Sequence, residues 1–130
     1  MSVTEGTSKA ALWTGRILVW IPSLFILSGG INSLRHAQMV VEGLKQFGFP
    51  ESLLPFMGTV ALLGGLMALI PATEVVGGIL LTAYLGAAAM AHILAHQPMQ
   101  WLAPTAFGIA VWIGLYLKEP RLRTVFPVKR

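Results

Sequence analysis

Apolar residues in this chain come in unbroken runs, without the alternation of a strand or the single apolar face of a soluble helix. Four stretches, residues 17–34, 53–70, 75–91 and 101–117, contain no Asp, Glu, Lys or Arg. Each is about the length needed to cross a ~30 Å hydrocarbon core at ~1.5 Å per residue. A soluble amphipathic helix would show a polar outer face. These segments are apolar all round, so lipid rather than water is their predicted solvent. In lipid the backbone must satisfy its own hydrogen bonds, which leaves helices or closed barrels. The runs are too long and alternate too little for barrel strands. The prediction is an all-α protein, a single membrane domain over residues 1–130 built as a four-transmembrane-helix bundle. Its helices are expected at about 14–34, 53–70, 74–95 and 101–118.

The connections carry the polarity. The first, residues 35–52, is long and ends in Gly48-Phe49-Pro50, which stops a helix. Within it Met39, Val40, Leu44 and Phe47 recur close to helical spacing, which predicts an outer surface helix over about 37–47. The other two turns, 71–74 and 96–100, are short and force neighbouring helices into hairpins. Small residues recur every four positions: Ala61 and Gly65, then Ala83, Ala87 and Ala91, then Ala106, Ala110 and Gly114. Such stripes let helices approach closely in lipid and predict a compact left-handed bundle, with a homo-oligomer face as the rival use.

Composition agrees with this layout. Hydrophobic residues make up 55% of the chain and charged residues 11%, against ~25% charged in soluble proteins. The absence of cysteine excludes disulfides, thiol chemistry and Cys-ligated metal centres. A net charge of +4 could suggest nucleic acid, but no long basic stripe or aromatic-interleaved patch accompanies it. Charge asymmetry across a bilayer explains it better. With four spans both termini share one side, which carries Lys9, Arg16, Lys118, Arg121, Arg123, Lys129 and Arg130. The other side has Arg35 and Lys45. The positive-inside rule puts both termini in the cytoplasm. A signal peptide is the competing reading of the first run, but the run continues to Leu34 and three more follow it.

Ionisable residues inside a membrane are functional candidates because they are expensive there. All five acidic residues, Glu5, Glu42, Glu51, Glu74 and Glu119, fall in tails or turns, which disfavours a proton-coupled carrier or pump. The polar residues that remain gather at the outer ends of the first and third spans. Asn32, Arg35 and His36 close the first. His92 and His96, an i,i+4 pair, close the third, with Tyr84 about two turns further in. Three readings compete for them. A metal is poorly served, because the Glu expected beside such a His pair is missing from Ala-His-Ile-Leu-Ala-His. A quinone headgroup would take hydrogen bonds from His or Arg while its tail lies among Leu, Ile and Ala. The plainest reading is interfacial side chains reaching headgroups, with His92 bonded locally. No catalytic residue is identified. Lys118, Arg121, Arg123, Lys129 and Arg130 form a juxtamembrane basic set suited to contact with anionic lipid.

Several of these segments together resemble a known family. Arg16-Ile17-Leu18-Val19-Trp20, Ser28-Gly29-Gly30-Ile31-Asn32-Ser33-Leu34 and Phe47-Gly48-Phe49-Pro50 resemble the opening of the DoxX-like family of small four-helix membrane proteins. Thr82-Ala83-Tyr84-Leu85-Gly86-Ala87-Ala88 with His92, and the ending from Trp112 to Arg123, extend the likeness over about residues 14–127. The resemblance implies a bacterial inner-membrane bundle whose relatives include subunits of thiosulfate:quinone oxidoreductases and partners of redox or detoxification enzymes. Relatives commonly carry a Glu early in the second span, where this chain reads Gly58-Thr59-Val60-Ala61-Leu62. The basic residue that often ends their first span corresponds to Arg35. The expected function is therefore a non-catalytic accessory or interaction subunit of a membrane or redox system, contacting the bilayer and a protein partner. A quinone-linked oxidoreductase subunit and a small neutral-solute carrier are the alternatives.

Overall fold

The computed structural model describes residues 8–125. Among them there are five α-helices and no strand: α1 (Lys9–Leu34), α2 (Gln38–Phe47), α3 (Leu54–Leu69), α4 (Glu74–Leu94) and α5 (Leu102–Lys118). Single 3₁₀ turns, Glu51–Leu53 and Leu122–Thr124, precede α3 and follow α5. α1 starts five residues ahead of the expected Thr14. Ser8 supplies an N-cap there, its hydroxyl oxygen accepting from the Ala11 N–H at 3.1 Å.

The four longer helices close a ring in which α1 packs on α3 and α5, and α4 packs on α3 and α5. Neighbours run antiparallel: Gly30 meets Gly58 and Ala61, Gly65 meets Ser23 and Leu27, and Gly15 meets Gly114. The interior is made of Val19, Ile26, Ala61, Ala68, Leu81, Leu85, Val111 and Leu115. Outside, large apolar side chains stand uncovered, with Phe25 64% and Ile21 59% exposed. An aqueous surface rarely tolerates apolar area on that scale. α1, residues Glu51–Leu69 and α4 are long and apolar enough to cross a membrane, and α5 is apolar but 17 residues long.

Close approach is made mainly by glycines, with Ala61 and Gly65 of one small-residue stripe and Gly114 of another among the contact positions. A Cβ on Gly114 would lie 2.6 Å from the Gly15 carbonyl oxygen, and one on Gly30 would lie 2.8 Å from the Leu62 nitrogen. The stripe on α4 does the opposite of what its spacing suggests. Ala83 and Ala87 are exposed, and the buried α4 residues are Glu74, Gly77, Gly78, Leu81 and Leu85. Spacing shows which residues share a face, and not which way that face turns.

α2 lies outside the ring and touches α1 and α4 at the end remote from the termini. Its sequence is amphipathic, and it buries Leu44 there.

Candidate functional site

Both ends of the ring carry polar side chains, and they are built differently. At the α2 end, three helices stop in the same way. The His36 N–H donates to the Ser33 carbonyl and the Ala37 N–H to the Asn32 carbonyl. Gly48 and Phe49 repeat this on Lys45 and Leu44, and His96 and Gln97 repeat it on Ile93 and His92. This is the Schellman arrangement, which needs a left-handed residue just past the helix. His36 (φ 54°), Gly48 (φ 74°) and His96 (φ 57°) occupy that position. Two of the three histidines are therefore cap residues.

The third histidine is tied into the same cap. His92 Nδ1 donates to Gln97 Oε1 at 2.5 Å, joining the two positions that usually make an apolar contact in this motif. Its ring stands edge-on to Phe47 of α2, with centroids 5.0 Å apart. His36 Nδ1 lies 3.1 Å from Glu51 Oε1, a link between the end of α1 and the turn before α3. Arg35 and His96 are exposed, Asn32 is half-buried, and Tyr84 packs against the core. Of the six sequence candidates, His36 and His92 are thus held in separate local contacts. Within the described residues no group of three or more His, Asp or Glu could hold a metal ion.

Since a left-handed conformation costs a non-glycine residue ~1–2 kcal/mol, His96→Gly is expected to stabilise the protein by about 1 kcal/mol. Thermal unfolding in detergent, followed by circular dichroism, measures it. A loss of stability would give the His96 side chain a role that the cap does not explain.

At the terminus-bearing end the structure holds a feature that sequence reading missed. Glu74 opens α4 and Lys118 closes α5, and their charged groups lie 2.6 Å apart with side chains only 6% and 9% exposed. Glu74 Oε2 is buried and has no aligned hydrogen-bond donor among the described residues, so the Lys118 charge is its compensation. Gly15 makes the burial feasible: a Cβ there would lie 2.9 Å from Lys118 Cβ. Lys118 is therefore turned inward and does not belong to the lipid-contact set. The weak signal for this was an acid at the first position of a helix, where the macrodipole favours it.

The other basic residues of that set are also engaged. Arg121 forks onto Glu119, with Nε–Oε1 at 3.1 Å and Nη2–Oε2 at 3.3 Å. The Arg121 guanidinium beside it holds the Glu119 carboxyl below the ordinary carboxylate range. Arg123 folds back over the end of α5, Nε donating to the Tyr116 carbonyl at 2.8 Å and Nη2 to that of Leu117 at 2.6 Å. Lys129 and Arg130 lie outside the described residues. A second missed contact joins α4 to α5. Thr82 Oγ1 accepts from Trp112 Nε1 at 2.6 Å and donates to the Gly78 carbonyl at 2.7 Å.

The comparison with protein families settles the kinship. A model of the DoxX-like family matches residues 17–114. The chain belongs to the DoxX-like family. No curated protein and no solved structure matches it. Membership of this family, three helices of spanning length and an uncovered apolar exterior make this DoxX-like protein an integral membrane protein in contact with the lipid bilayer.

Proposed function

We propose that this DoxX-like protein is a non-catalytic accessory or interaction subunit of a membrane or redox system. It crosses a bacterial inner membrane four times as a four-helix bundle, with both termini in the cytoplasm. α5 supplies the fourth span, since its 17 largely apolar residues stand at the short limit of ~17–25 for a crossing. Seven Lys or Arg residues lie towards the termini, against Arg35 and Lys45 at the opposite end.

One observation carries the reading. Seven of the ionisable side chains are committed to architecture: His36 to Glu51, His92 to its own cap, Glu74 to Lys118, and Arg121 to Glu119. Catalysis and proton transport call for convergent groups with perturbed protonation in a cleft. An interaction subunit needs only a rigid apolar scaffold with a shaped surface.

Mild-detergent purification of the tagged protein from its native membrane tests this. A membrane or redox protein recovered in fixed ratio is the expected result. Recovery of the monomer or a homo-oligomer alone would overturn it. Copurifying quinone whose binding weakens in His92→Ala would move the assignment to a quinone-linked subunit.

A further inference from the structure

The α4–α5 contact is the loosest in the ring, and along it runs an open groove of about 560 Å³. Its walls include Leu85, Gly86, Gly108, Ile109, Trp112 and Tyr116. It extends from Pro104 to Leu117, about 20 Å at ~1.5 Å per residue. Half of a ~30 Å hydrocarbon core fits within that length. The hydroxyls of its two threonines are already used inside the protein, Thr82 by Trp112 and Gly78, and Thr105 by the Trp101 carbonyl. An occupant therefore meets largely hydrocarbon-like walls, with Tyr116 as the remaining hydroxyl-bearing residue of the lining.

One end of the groove is cationic. Tyr116 and Leu117 line it, and theirs are the two carbonyls that Arg123 grips. The guanidinium lies 5.9 Å from the centroid of the Tyr116 ring. Its charge is thus fixed at the mouth of an apolar channel, at the membrane-interface end of α5.

We propose that this groove seats one acyl chain of an anionic phospholipid, with the lipid phosphate at Arg123. The proposal goes beyond the accessory role and rests on α5 spanning the bilayer. The depth of the groove comes from two glycines. A Cβ on Gly86 would meet nothing within 4 Å, and one on Gly108 would meet Leu85 Cδ1 at 3.9 Å. Larger side chains at these two positions fill the groove without disturbing the backbone.

Trp112 reports on the occupant. In a full-length variant carrying Trp13→Phe, Trp20→Phe and Trp101→Phe, its fluorescence is measured in phosphatidylcholine vesicles. Increasing fractions of acyl-brominated phosphatidylglycerol or acyl-brominated phosphatidylcholine are added as quenchers. Half-quenching is expected at about fivefold lower mole fraction for phosphatidylglycerol, the effect of one well-placed Arg. Arg123→Gln should erase that preference and keep the quenching, whereas Lys45→Gln, on α2 at the opposite end, should change neither. Gly86→Leu with Gly108→Leu should weaken quenching by both lipids while helicity is unchanged. Equal quenching by the two headgroups before any groove mutation would overturn the proposal, as would quenching indifferent to the two leucines. Quenching that falls as protein density rises would assign the groove to a second copy and also overturn it. Absence of quenching by either lipid would remove α5 from the bilayer, a failure of the four-span reading distinct from a failure of the groove.

Discussion

Lys118→Met is expected to destabilise the folded protein by about 3–5 kcal/mol, the usual effect of leaving one member of a buried ion pair alone. The Glu74 carboxylate is short, fixed in the first turn of α4 and 6% exposed, so it cannot swing out to water. Glu74→Gln should be milder, because the long Lys118 stem can carry its ammonium towards the interface. The double variant Glu74→Gln with Lys118→Met should recover most of the loss, since both desolvated charges are gone and an apolar stem still fills the space over Gly15. Denaturant titrations of the wild type, both single variants and the double variant, read by circular dichroism in micelles, give the coupling directly. Additive effects of the two single changes would mean that the pair contributes nothing as a pair.

Gly77→Ala should be comparably severe, at about 3 kcal/mol, the upper part of the range for overpacking a core. A Cβ at that position runs into the Ala68 backbone nitrogen and lies 2.6 Å from Ala68 Cα. Backbone cannot rotate aside as a side chain can, so α3 and α4 must separate at their shared turn. The Gly29-Gly30 pair provides an internal control. Gly29 has nothing within 4 Å, whereas a Cβ on Gly30 would press on the Leu62 nitrogen and the Gly58 carbonyl. Gly29→Ala is expected to stabilise by about 0.5–1 kcal/mol through helix propensity alone, and Gly30→Ala to destabilise. The same unfolding titrations distinguish the two. If Gly77→Ala and Gly29→Ala behave alike, glycine packing does not set the helix spacing.

These expectations mark what the chain reveals without its structure. The apolar stretches are legible because an all-round hydrophobic run has few physical uses, and residues 17–34 and 75–91 fall inside α1 and α4. The amphipathic pattern around Leu44 is legible for the same reason, since one buried face leaves a period. Contacts between helices leave no such trace. Glu74 and Lys118 are far apart in sequence and look like ordinary turn and tail charges until the ring brings their helix ends together. Ala83 and Ala87 have helix-packing spacing and yet face outward.

The histidines show the limit most clearly. An i,i+4 pair suggests a ligand site, because sequence gives separation along a helix and not backbone conformation. His96 is a left-handed cap, and His92 is bonded to the residue that completes the same cap. A helix that ends on His-Gln after an apolar run was the available hint. Its ordinary meaning was a stop signal.

The proposed arrangement of four crossings with both termini inside is open to a direct test because the sequence contains no cysteine. Single substitutions Ser52→Cys, Ala72→Cys and Gln100→Cys, each at an exposed position, can be probed in intact cells with a membrane-impermeant maleimide. Ser52→Cys and Gln100→Cys should label from outside, and Ala72→Cys only after the inner membrane is permeabilised. Labelling of Ala72→Cys in intact cells, or protection of Gln100→Cys, would contradict the four-span, termini-inside arrangement.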